Sequence, residues 1–294
     1  MFCTTRRKGD AMITGVWLLG SAMPDLSLVQ YNAVDNIFSM TVATMGAAAL
    51  FLFMARSHVD PEYRPALLVS GLVTAIACYH YFMIRHSWHG AYSLADGGYK
   101  GTGAAFNDFY RYADWILTVP LLMVELVAVL RLPAAKASSL LTRLVIAAAL
   151  MIALGYPGEV IADPARWGER VMWGGLSSIP FFYILYVLWT ELTNSLESQP
   201  PAARRLLEIA RLVILVTWAV YPIAYALGGT PDALAAKAGT ANAASGVTGA
   251  NGVVALQIGY AIADMTAKAG FGVLIYLIAK AKSTKSGEGA YAAA

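Results

Sequence analysis

Charge is what this chain has least of. Its 294 residues include 21 Lys or Arg and 18 Asp or Glu, 13% in all, with a net charge of +3. A soluble domain carries about twice that charged fraction, so an ordinary soluble domain is excluded. The small, scattered positive excess gives no basic face for nucleic acid, and no nucleic-acid partner is expected. Cysteine is nearly absent: Cys3 and Cys78 are the whole supply. Two thiols cannot build a metal cluster, and Cys78 sits inside an apolar run, which argues against a disulfide. No internal repeat is visible.

Apolar residues fill the space that charge leaves. The composition is 58% hydrophobic and the mean hydropathy is +0.58. Long apolar runs recur along the whole chain, which reads as an all-α membrane protein crossing the lipid bilayer many times. Seven spans are expected, at about 28–56, 64–88, 106–131, 138–156, 170–195, 203–228 and 252–281. The breaks carry turn chemistry. "LADGGYKGTG" after the second span reads as a small hairpin, while "RLPAAK" and "SQPPAARR" follow the third and fifth. The connection between the sixth and seventh, "GGTPDALAAKAGTANAASGVTGAN", is rich in Gly, Ala and Thr and reads as mobile.

Residues 1–24 stand apart from the domain at 25–294. "TTRRKGDAMITGVWLLGSAMPD" has a basic start, a short apolar stretch and small residues, the layout of a secretory signal. A short interfacial segment that stays attached fits the same residues. Lys and Arg near the span ends set the orientation. Arg56, Arg64, Arg131, Lys136, Arg143, Arg204, Arg205, Arg211, Lys280, Lys282 and Lys285 share one side. Arg85, Lys100, Arg166, Arg170 and Lys237 share the other. The first side is read as cytoplasmic in a cell membrane, with the N-terminus outside and the C-terminus inside.

Ionisable residues at membrane depth are costly and functional by default. The third span holds "RYADWILTVPLLMVEL". Arg111, Asp114, Thr118 and Glu125 are spaced by 3, 4 and 7, so they share one helix face. The stripe is roughly 21 Å long, with Asp114 and Glu125 roughly 16 Å apart. The seventh span holds Lys268 near its middle, with Asp264 one turn outward on the same face. A buried lysine without a partner gives up its proton; a carboxylate one turn away keeps it charged, or stabilises a charged imine made from it. Structural ion pairs between helices would also fit both stretches. His80 in the second span matches the depth of Asp114, so it is either a core histidine or a contact that tunes Asp114. Trp218, Pro222 and Tyr225 in "TWAVYPIAY" have helical spacing, and Tyr221 precedes the kinking proline.

"RYADWILTVPLLMVE", "WAVYP" and "YAIADMTAK" resemble the third, sixth and seventh helices of microbial rhodopsins, and the likeness covers about residues 27–282. The resemblance implies all-trans retinal on Lys268 as a protonated Schiff base, with Asp114 and Asp264 as counter-ions and Arg111 as their outer partner. It implies that Trp115 and Trp218 sandwich the polyene, that Tyr221, Pro222 and Tyr225 surround it, and that Met151 and Gly155 lie near its ring. Asp114, Thr118 and Glu125 match the pattern of proteorhodopsin-like outward proton pumps. A chloride pump would lack the carboxylate at 114, and a sodium pump would have Asn there and Asp at 118. Leu122 matches the position that carries leucine in green-absorbing forms. "GYPGE" and "VMWGGLSSIPFFYILYVLW" are similar to the xanthorhodopsin and Gloeobacter-type branch. There a glycine, Gly174 here, opens a window for a hydroxylated or ketolated carotenoid antenna; close helix packing is the plain alternative. The connection between the sixth and seventh spans lacks the Glu pair of halobacterial pumps, which speaks against a carboxylate release group outside.

The function implied is light-driven outward proton transport, not substrate turnover. Asp114 accepts the proton, Glu125 supplies the next one, and a homo-oligomer, trimeric or pentameric as in the family, is implied. A sensory photoreceptor signalling through a partner is the main alternative, and Glu125 argues against it, since a sensor needs no fast internal donor. A proton-coupled solute transporter without retinal would use the same carboxylates.

Overall fold

The architecture comes from a computed structural model, which describes residues 23–104, 106–107, 109–161, 164–227 and 250–291. The leader reading at 1–24 falls almost wholly outside them, as does most of the connection between the sixth and seventh spans.

Seven helices are long and apolar enough to cross a membrane. Lipid offers no partner to a backbone N–H or C=O, so each span must satisfy its own, and helices do so. The first six spans are α1 (Leu28–Ala55), α2 (Arg64–Ala91), α3 (Phe109–Leu130), α4 (Ala134–Glu159), α5 (Trp167–Ser195) and α6 (Pro201–Leu227). The seventh is built from α7 (Ala250–Asp264), a π-helical turn at Met265–Gly270 and α8 (Phe271–Tyr291). The chain is a multi-pass membrane protein with the expected bundle. Span ends moved by a few residues; α4, for instance, starts at Ala134 rather than 138, because the alanines and lysine of "AAKA" are good helix formers.

Local signals explain the ends. Ser27 and Gln30 close a capping box at the start of α1, each side chain accepting from the other's backbone N–H. Pro120, Pro157, Pro180 and Pro222 sit inside helices, as spans packed among neighbours tolerate. The hairpin after α2 forms from β2 (Tyr92–Ala95) and β3 (Gly98–Gly101). Its loop is Asp96 and Gly97, both with positive φ, at 50° and 76°, the geometry that an Asp-Gly pair favours. The sequence reading missed a third strand. β1 (Leu26–Ser27) pairs with β3 in the sheet order β1-β3-β2 and ties the start of α1 to the hairpin.

The core has two main apolar clusters. The smaller one lies at the hairpin end and includes Tyr31, Phe38, Tyr81, Trp88 and Phe106. The larger runs through the rest of the bundle and includes Trp115, Leu122, Leu144, Ile184, Leu207 and Ile275. Asp264 takes hydrogen bonds from Tyr81 of the first and Trp115 of the second, so the polar centre sits where the clusters meet.

Candidate functional site: a paired lysine at the end of an apolar cavity

The centre is built on α3 and on the π turn of the seventh span. Lys268 lies in that turn and is 2% exposed. A π turn inserts an extra residue and turns the side chains that follow it, and such turns recur at functional sites. Its ammonium donates to Asp114 Oδ2 on α3 and lies 3.1 Å from Asp264 Oδ1 on its own span. Both carboxylates are 1% exposed. A buried charge of either sign needs partners, and here one cation bridges two anions.

The side chains around Asp264 are aromatic. Tyr221 donates to Asp264 Oδ1 at 2.6 Å and Tyr81 to Oδ2 at 2.8 Å, and Trp115 Nε1 lies 3.4 Å from Oδ1. Thr118 donates to the Asp114 backbone carbonyl at 2.9 Å. His80 Nδ1 is 3.9 Å from Asp114 Oδ1 and 3.0 Å from the Ile76 carbonyl. The imidazole thus stands beside the carboxylate, with that nitrogen bonded to its own helix. Arg111, toward the hairpin end, donates to the Gln257 side chain and lies 5.0 Å over the Tyr260 ring.

From Lys268 a cavity of about 290 Å³ runs between α3, α4, α5 and α6. Trp115, Leu122, Met151, Trp218, Tyr221 and Pro222 wall it, and Gly155, Gly174 and Tyr225 line it as well. All the residues expected around a polyene therefore meet in one space. Val171, 54% exposed on the outer face of α5, lines the same cavity, so the cavity reaches the lipid-facing side near Gly174. The reason for the glycine is visible: a Cβ at 174 would come within 2.5 Å of Tyr225 Cε1. Gly174 makes room for that ring.

Glu125 stands apart from this group, buried at 0% exposure with no ion-pair partner and with the Ser70 side chain beside its carboxyl. Its expected separation from Asp114 along α3 leaves Thr118, Leu122 and their turns between the two.

Sequence reading missed several members. Tyr81 is adjacent to His80, and attention to the histidine hid it. Gln257 lies just under one turn before Tyr260 in a run read as plain apolar span. Arg170, counted as a loop charge near the span end, is 1% exposed. It bonds Glu159 Oε2 at 2.8 Å and the Tyr225 carbonyl at 3.2 Å, and its guanidinium lies 4.2 Å from the centre of the Tyr225 ring. The signal was present in "GYPGEV" and "GERVMW", which place one acid and one base where α4 and α5 meet. His89 joins Arg85 on Asp35, at 2.6 and 2.7 Å.

Comparison with known proteins supplies the family. The model of the bacteriorhodopsin-like proteins matches residues 32–282. The green-light absorbing proteorhodopsin of Gamma-proteobacterium EBAC31A08 is 29% identical over 263 residues, covering 89% of this chain and 92% of the relative. The bacteriorhodopsin of Halobacterium salinarum is 28% identical over 289 residues, covering 94% and 98%. Among solved structures, thermophilic rhodopsin is similar at 50% identity with a TM-score of 0.80, covering 90% of this chain and 99% of that one. Xanthorhodopsin, described as a light-driven ion pump with dual chromophore, gives the same identity, TM-score and coverage. The chain belongs to the bacteriorhodopsin-like family, as a microbial rhodopsin of the proteorhodopsin and xanthorhodopsin kind.

Proposed function

We propose that this protein is a light-driven outward proton pump whose chromophore, retinal, is carried on Lys268. The observation that carries the reading is the pairing of one buried amine with two carboxylates at the closed end of an apolar, aromatic-walled cavity. A rigid apolar aldehyde would fit that space: Lys268 would hold its carbonyl carbon, and Trp115 and Trp218, which line the cavity, would hold its chain. Retinal bound there as an imine supplies light absorption and a light-driven change of shape at the Lys268 nitrogen.

The chain's own groups do the rest. Asp114 Oδ2, the nearest oxygen to Lys268 Nζ, takes the proton. Asp264 is held in place by the hydroxyls of Tyr81 and Tyr221 and serves as the second counter-ion. Glu125, with no counter-charge bonded to it, keeps its proton in the dark, because burial without a counter-charge favours the neutral acid; it then returns a proton to the lysine nitrogen. Arg111 and Gln257 lie on the exit side. The leucine at 122 in the cavity wall fits green absorption. A carotenoid at the opening beside Val171 and Gly174 is the antenna this reading allows. Direction follows from the Lys and Arg asymmetry, which puts Glu125 on the cytoplasmic half.

The test is addition of all-trans retinal to the apoprotein. A visible band should form in the wild type. Lys268→Ala should give folded protein with no such band and no borohydride-stable adduct. A stable adduct in that variant would remove Lys268 from the account.

A further inference from the structure

A second cavity lies at the opposite end of the bundle from the hairpin. Its volume is about 600 Å³, and it opens among the α3–α4 connection, the end of α5 and the α5–α6 connection. Unlike the first, it is polar. Lys136 and Glu191 pair across it at 2.7 Å, Arg131 pairs with Glu62 at 3.0 Å at its edge, and Ser195 and Ser198 line it.

Lys282 of α8 forms its inner end. This lysine is 9% exposed, and its ammonium donates to the carbonyls of Val129 and Leu130, at 2.9 and 3.3 Å. It also sits 5.3 Å over the Tyr63 ring. Those carbonyls end α3, where the chain turns away through Arg131 at φ +57° and the last carbonyls have no partner within the helix. Glu125 is four residues before Val129, roughly 6 Å along the axis. Leu126, Val127 and Leu130 beside it on α3 are buried. Along α3 the cavity end at Leu130 and the buried acid are thus little more than one helical turn apart, and Lys282 is held at that cavity end.

We propose that this cavity is the entrance for the proton that refills Glu125, with Lys282 as the positioning residue at its inner end. The proposal rests on the donor role given to Glu125 above. Two physical effects define the role. By holding the carbonyls of Val129 and Leu130, Lys282 keeps the end of α3 closed and the approach to Glu125 in register. Its ammonium, when charged, favours the carboxylate that Glu125 becomes when its proton moves inward. Without that charge the step that calls for a new proton is slowed, and so is uptake from the medium.

The experiment is time-resolved proton uptake by the retinal-loaded protein, read with a pH-indicator dye after a flash. Lys282→Gln can still donate to a carbonyl but has no charge; uptake should slow about tenfold, the scale of one unit charge at such a distance. Lys282→Arg keeps charge and donors, and uptake should stay within about twofold of wild type. Ser198→Trp, which fills the mouth and touches neither Glu125 nor Lys282, should slow uptake severalfold. In each variant the dark absorption band should not move. Glu125→Gln is the reference: if it leaves uptake unchanged, the donor reading fails first. If Glu125→Gln slows uptake while Lys282→Gln or Ser198→Trp takes up protons at the wild-type rate, Lys282 is only a helix cap or the cavity only a surface groove, and the proposal is overturned.

Discussion

At the scale of single residues, the two carboxylates of α3 differ by what surrounds them. Asp114 touches a cation, and Glu125 has no ion-pair partner, only the Ser70 side chain beside it. Asp114→Asn should shift absorption to the red, because the lost anion had stabilised the ground-state charge at the lysine nitrogen, and it should abolish pumping; a spectrum and a light-driven pH trace check both. Glu125→Gln should leave the dark spectrum nearly unchanged and slow recovery of the dark state by about 100-fold, the usual worth of a positioned proton donor. Added azide, a mobile proton carrier, should restore part of the rate, and a flash photolysis trace at neutral pH decides it. These residues were legible because charge inside an apolar run is rare and helical spacing shows which charges share a face. Tyr81 and Gln257 were not, because a tyrosine or a glutamine in a span resembles ordinary packing until the helix opposite is known.

At the scale of elements, the spans announced themselves as apolar runs and the hairpin by its Asp-Gly pair. The π turn at Met265–Gly270 had no such signal, since it arises from how the seventh span packs rather than from any one residue. The strand at Leu26–Ser27 was too short to show a pattern. The α4–α5–α6 corner is where structure most changes the meaning of a sequence feature. Gly174 serves Tyr225, whose ring occupies the notch and whose hydroxyl donates to the Arg170 carbonyl at 2.9 Å. Gly174→Trp should therefore close the lateral opening and also push Tyr225. Carotenoid bands on the blue side of the retinal peak should vanish, while retinal binding and pumping remain. Tyr225→Phe keeps the ring in place and should keep those bands. Excitation spectra for pumping, taken with hydroxylated and ketolated carotenoids, separate an antenna site from a packing glycine: equal carotenoid binding in Gly174→Trp would exclude the antenna.

At the scale of the whole molecule, one polar line threads the bundle: Arg111 and Gln257 at the hairpin end, Asp114, Lys268 and Asp264 at the centre, then Glu125, and Lys282 at the far end. Its groups come from α3 and the seventh span, which meet only in the folded bundle, so the line as a whole was hidden while its two halves were visible. Such a line has a direction only if its two ends differ, and here they do, with a buried unpaired acid on one side of the lysine and a paired one against it. The measurement that tests this most directly is the pH of a lightly buffered suspension of intact cells that carry the retinal-loaded protein, recorded under green light with and without a protonophore. The account predicts acidification of the medium that begins with illumination, disappears with the protonophore and is absent in Asp114→Asn. Alkalinisation of the medium, or no change of pH from a pigment that absorbs normally, would contradict it.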